Sequence, residues 1–178
     1  MNILSYEDII YFCAKFYWMP KYRLLTQEEL NELEKEFVDF LIINGIDAKE
    51  WERIQDEQSE DLERFVELFS DVVFEKIMRQ TRHLVYTAQD QLYAFNYGPE
   101  KASLIIAVSE GLPFPETENE DELLAFLVSN ASSIHINYQE KDYKGNREEE
   151  IYKMIQSSCK IMGEKVYAHL IDIYGKKN

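Results

Sequence analysis

The chain has 178 residues, 46% of them hydrophobic, which supplies a sizeable core and argues against disorder over most of the length. Its net charge is −15, and residues 26–75 alone hold 17 acids against four bases, a local −13. Such a field repels nucleic-acid phosphates and anionic membrane surfaces, and it favours solubility and basic partners.

Residues 1–18 lack the basic start of a signal peptide, and their apolar run, 9–18, is too short to span a bilayer. Ser5 and Asp8 suit the start of a short helix that Pro20 would stop. Patterned sequence resumes at Met19, so residues 1–18 read either as a docking helix or as an extension from a mis-assigned start. Residues 19–178 then read as a single domain.

Thr26 and Glu29 form a capping box, and Leu30, Leu33, Phe37, Phe40 and Leu41 follow at helical spacing until Asn44-Gly45 ends the helix. Asp47 caps a second helix carrying Trp51 and Ile54. Ser59 caps a third, with Leu62, Phe65, Val66, Phe69, Val72, Val73 and Ile77 on one face. The short links predict an antiparallel helical layer.

After Gln80 the period becomes two. Strands are predicted over 83–88, 91–97 and 102–108, with Gly98-Pro99 as a turn, and the tight links predict an antiparallel meander. Asn119 caps a helix over 120–129 that packs through Leu123, Leu124, Phe126 and Leu127. A fourth strand, 133–138, turns Ile134, Ile136 and Tyr138 to one side and His135 and Asn137 to the other. Asn146 opens a long final helix, to about residue 174, with Ile151, Ile155, Cys159, Met162, Val166, Leu170 and Ile173 as its stripe and Gly163 mid-helix. The fold class is therefore α+β: N-terminal antiparallel helices, a small, mainly antiparallel four-stranded sheet and a long C-terminal helix.

Chemistry is sparse in this pattern. The cysteines, Cys13 and Cys159, stand outside any CxxC or Cys/His cluster; they suit free thiols in a reducing cytoplasm, and Cys159 falls on the buried stripe. His83, His135 and His169 form no HExxH, HxH or ExxH, and no glycine-rich nucleotide loop or G-x-S-x-G occurs, so neither a cofactor nor a metal is called for. Glu60, Glu63, Glu67, Asp71 and Glu75 recur every three or four residues as an acidic ridge, read as a solvated face or as a surface for a basic partner. Tyr93, Phe95 and Tyr97 share a strand face, which is core if covered and an aromatic platform if open. His83, His135, Tyr138 and Arg147 are the residues that a pocket between sheet and last helix would draw together.

The segments 19–30 (MPKYRLLTQEEL), 34–41 (EKEFVDFL), 68–75 (LFSDVVFE), 147–156 (REEEIYKMIQ) and 165–167 (KVY) resemble a bacterial family of unknown function. The resemblance runs from Met19 onward and leaves out residues 1–18. It implies a compact bacterial cytoplasmic protein and transfers no catalytic residue. The function expected is a non-enzymatic protein-binding or regulatory module for a basic protein partner, without nucleic-acid or membrane binding. Two alternatives stand beside it: an inhibitor or immunity-type protein, and a small enzyme or ligand binder using the sheet and last helix.

Overall fold

The computed structural model describes residues 21–57 and 60–177, so the reading of residues 1–18, Cys13 and the Ser59 cap lies outside the described residues. The chain divides into two compact units, Met1–Lys76 and Ile77–Asn178.

In the first unit, Thr26 accepts the Glu29 amide and Glu29 accepts the Thr26 amide, and this box starts α1 (Gln27–Glu32). The single helix expected from Thr26 to Asn44 is two helices. Leu33 leaves helical geometry at φ −106°, ψ 22°, and α2 (Glu34–Ile43) begins after it. Gly45, at φ +81°, closes α2 with the Ile46 amide returning to the Leu41 carbonyl. Asp47 caps α3 (Ala48–Asp56), and α4 is Glu60–Gln80, whose last turn belongs to the second unit. Phe69 is the hub, with its ring 4.9 Å from Phe37 and 5.4 Å from Phe40, and Phe37 meets Trp51 edge-on at 5.3 Å. The buried line of α4 runs Phe69, Ser70, Phe74, Met78, so Val72, expected on the apolar stripe, is 53% exposed.

The second unit carries β1 (His83–Ala88), β2 (Gln91–Tyr97), β3 (Lys101–Ser109), α5 (Glu120–Ser129), β4 (Ile134–Asp142), α6 (Arg147–Gln156), β5 (Lys160–Met162) and α7 (Glu164–Lys177). All pairings are antiparallel, in the order β4-β3-β2-β1-β5. The meander is as expected, with a two-residue hairpin whose first residue, Gln89, has φ +49°. The sheet has five strands rather than four, because the expected final helix is interrupted. Ser157 donates its hydroxyl back to the Lys153 carbonyl, Ser158 takes φ +71°, and the chain then runs as β5 before α7 starts. Cys159 is buried, but in the link before β5 and not on a helix.

Opposed residues of an antiparallel ladder project to the same side. One side of the sheet turns Val85, Leu92, Ala94, Ile105, Ala107 and Ile134 into a core closed by Leu123 and Leu127 of α5 and Val166 and Leu170 of α7. Each such side chain, fully buried, contributes about 1.5–3 kcal/mol for the larger aliphatics.

Gly163 lies just before α7, not within a helix. A Cβ there would sit 2.3 Å from Glu120 Oε2. That carboxylate, from the first turn of α5, accepts the Lys165 amide at 2.9 Å and so caps α7 from another helix. Gly163→Ala is expected to displace Glu120 and cost about 0.5–2 kcal/mol, read as a lower urea midpoint. Glu120→Ala in the same background should then add little.

Candidate functional site

The acidic helical unit holds the largest set of predicted site residues. Its ridge on α4 has two roles. Glu60 and Glu63 are exposed, and Glu67 is half-buried. Asp71 faces inward instead of serving the solvated ridge: its two oxygens accept the amides of Lys21 and Tyr22, each at 3.0 Å. Glu75 Oε2 accepts from Lys21 Nζ and from the Tyr22 hydroxyl, both at 2.8 Å. Burial, with that carboxylate as the second cause, pushes the Tyr22 phenol up to about 12. Ser70 accepts the Leu25 amide at 3.0 Å and donates to the Val66 carbonyl. The lower ridge is thus a clamp on the extended segment before α1.

Arg23 forks onto Glu29 at 2.7 and 2.6 Å, and this pair, with the Thr26 amide next, holds the Glu29 carboxyl down at about 2. A depressed carboxyl stabilises the fold above its unfolded value, near 4.5, and that contribution is lost as pH falls through about 2. A carbon-detected NMR titration should therefore find Glu29 still ionised at pH 3, and Arg23→Ala should raise the midpoint toward, but not fully to, the ordinary value, because the Thr26 amide still lowers it.

The outward side of α2 mixes charged residues, Lys35 among them, with three exposed aliphatics. Val38, Ile42 and Ile43 are 47, 61 and 84% exposed, among the exposed acids Glu34, Glu36 and Asp39. Helical spacing places Val38 and Ile42 one above the other. Periodicity alone does not reveal this strip, because it marks the residues that share a buried stripe and is silent on apolar residues off it.

In the sheet unit, the four residues expected to share a pocket are not assembled. His83 and Tyr138 project to the side covered by α5 and α7, whereas His135 projects to the other, 2.8 Å from Glu110 in an exposed pair that contributes little. Arg147 is a bolt. Its guanidinium donates to the carbonyls of Thr81 (2.6 Å), Tyr97 (3.0 Å) and Met78 (3.2 Å).

Around His83 the register makes a polar row that single-sequence reading had no way to see: His83, Asn96, Ser103 and Glu140 stand opposite one another across four strands. Tyr167 of α7 covers it, sharing a 2.6 Å hydrogen bond with Ser103 and stacking obliquely on His83 at 5.6 Å. Burial holds the His83 imidazole below its ordinary value. Tyr138 donates to Glu140 at 2.5 Å, and that bond, ahead of burial, raises its phenol to about 12. Ser103 hydrogen-bonds to Tyr167 and not to His83, so the row lacks the nucleophile–base contact of an acyl-transfer site.

The aromatic face of β2 is split. Tyr97 is buried at 2%, beside Tyr143, and burial followed by the Glu150 charge raises its phenol. Tyr93 and Phe95 are half-buried, and Tyr86, 6.0 Å from Tyr93, is 40% exposed. Among the described residues no three His, Cys, Asp or Glu side chains converge at metal-ligand spacing, and no helix is long and apolar enough to cross a membrane.

A family model, the Family of unknown function (DUF6495), matches residues 19–175. The chain belongs to this family. The match begins at Met19, where the patterned sequence begins, and takes in both the helical unit and the sheet unit, so the acidic helices and the five-stranded sheet lie within the span that the family model covers. No curated protein and no solved structure matches the chain.

Proposed function

We propose that the chain is a protein-binding module, and that its helical unit presents the binding surface to a partner carrying a basic amphipathic segment. The observation that carries this reading is the open Val38–Ile42–Ile43 strip set among exposed acids. The two cations just before the acidic stretch are already engaged: Lys21 pairs with Glu75 and Arg23 with Glu29. The remaining field attracts a basic partner at long range, and the apolar strip gives it area to bury.

The probe is an 18-residue amphipathic Lys/Leu peptide, titrated by calorimetry against the full chain. Binding is expected to weaken at least tenfold from 50 to 300 mM NaCl, because screening shortens the reach of the field to below ~10 Å. Ile42→Ser with Ile43→Ser should weaken it by a similar factor, and a Glu/Leu peptide should not bind. Salt-independent binding, or affinity indifferent to the double substitution, would sink the reading. An inhibitor of a basic enzyme is the narrower form of the same proposal and adds loss of that enzyme's activity.

A further inference from the structure

The last turn of α2 ends on Asn44-Gly45, and this pair carries its own chemistry. A backbone nitrogen that follows asparagine can attack the side-chain carboxamide, and glycine in the second place leaves the approach uncrowded. Gly45 stands at φ +81°, and among the described residues nothing lies within 4 Å of the Cβ it lacks. Both residues are exposed. In the closed turn, however, both reacting groups are held. The Gly45 amide donates to the Ile42 carbonyl at 3.0 Å, and Asn44 Nδ2 donates to the Phe40 carbonyl at 2.8 Å. The Ile46 amide completes the closure on the Leu41 carbonyl at 2.9 Å.

We propose that Asn44 is a site of spontaneous deamidation, gated by opening of the last turn of α2, and that its product unlatches that turn. The Gly45 nitrogen gives up its proton and bonds to Asn44 Cγ. The Cγ–Nδ2 bond breaks, ammonia leaves carrying that proton, and a succinimide ring remains. Water then adds to either ring carbonyl and reopens the ring to aspartate or isoaspartate. The reaction draws on the opened turn, because the closed one ties up the attacking nitrogen and the carboxamide alike. The product cannot re-form the latch. Aspartate has no donor for the Phe40 carbonyl, and its charge sits at the negative end of the helix dipole. Isoaspartate inserts an extra backbone carbon and displaces the Gly45 and Ile46 amides from their carbonyls. Ile42 and Ile43 belong to this turn, so the modification loosens the exposed strip they form. The chemistry is independent of what that strip binds.

The test incubates the full chain at pH 8 and 37 °C, with and without guanidinium chloride, and follows each asparagine by peptide mass spectrometry. In denaturant, conversion at Asn44 is expected to run at least tenfold faster than at Asn31 or Asn146, which precede Glu32 and Arg147. In the folded chain Asn44 should still convert before those two, but at least tenfold more slowly than in denaturant, since the turn is closed most of the time. Asn44→Asp reproduces one product directly. Its Ile46 amide, which closes the turn, should exchange with deuterium several-fold faster than in the unsubstituted chain, and a thermal melt confirms that the variant folds. Conversion no faster at Asn44 than at Asn31, equal rates with and without denaturant, or unchanged Ile46 exchange in Asn44→Asp overturns the proposal.

Discussion

Replacing Arg147 with methionine is expected to cost about 3 kcal/mol, the largest effect of any substitution considered outside the apolar core. Its guanidinium reaches three carbonyls that no helix or strand bond otherwise gathers: Met78 in the last turn of α4, Thr81 just after it, and Tyr97 at the end of β2. The side chain is 14% exposed, so water replaces little of what is removed. Hydrogen bonds to a charged donor contribute about 1.5–3 kcal/mol each, and bonds sharing one donor group do not add in full. Arg147→Lys should recover only part of the loss, because an ammonium lacks the planar fork that reaches Thr81 and Tyr97 together. Urea unfolding with an unchanged slope is the measurement. A loss under 1 kcal/mol for methionine would show that the carbonyls are satisfied without Arg147.

Asp71→Ala is expected to cost about 2 kcal/mol and to loosen the segment before α1. Asp71 accepts two backbone amides, from Lys21 and Tyr22, and an ionised acceptor makes each of these bonds stronger than a neutral one. With it removed, Tyr22 and Leu25 remain anchored by burial and by Ser70, so the helical unit should stay folded while the segment opens more often. Trypsin reports this directly, since Lys21 and Arg23 flank the anchored Tyr22. Cleavage there should accelerate several-fold in Asp71→Ala and not in Glu60→Ala, whose carboxylate is exposed at the start of α4. Equal rates would remove the clamp from the account of this unit.

Local chemistry made much of this fold legible. The capping box at Thr26, the caps at Asp47, Asn119 and Asn146, and the period-two runs of the meander all depend on neighbours within a few positions. What was not legible depends on partners far along the chain. Cys159, Met162 and Val166 satisfy a helical period, and only the Ser157-Ser158 pair, whose hydroxyls compete for backbone groups, hinted at the break that creates β5. The polar row needs the register of four strands, which Asn96 and Ser103 do not announce. Asp71 looked like one more ridge carboxylate because its acceptors' donors lie about 50 positions away. The separation of His135 from Tyr138 within the group His83, His135, Tyr138 and Arg147 was, by contrast, already legible in the strand's alternation. His135 and Tyr138 are three apart on one strand, so they leave it on opposite sides.

The late arrival of β5 has a kinetic meaning. β1, β2 and β3 are stitched by turns of two or three residues, so their contacts cost little chain entropy to form. β5 meets β1 through His83 and Met162, and bringing those two positions together closes a loop that spans nearly the whole sheet unit. The meander is therefore expected to assemble first, with the three-residue strand docking afterwards as the closing piece.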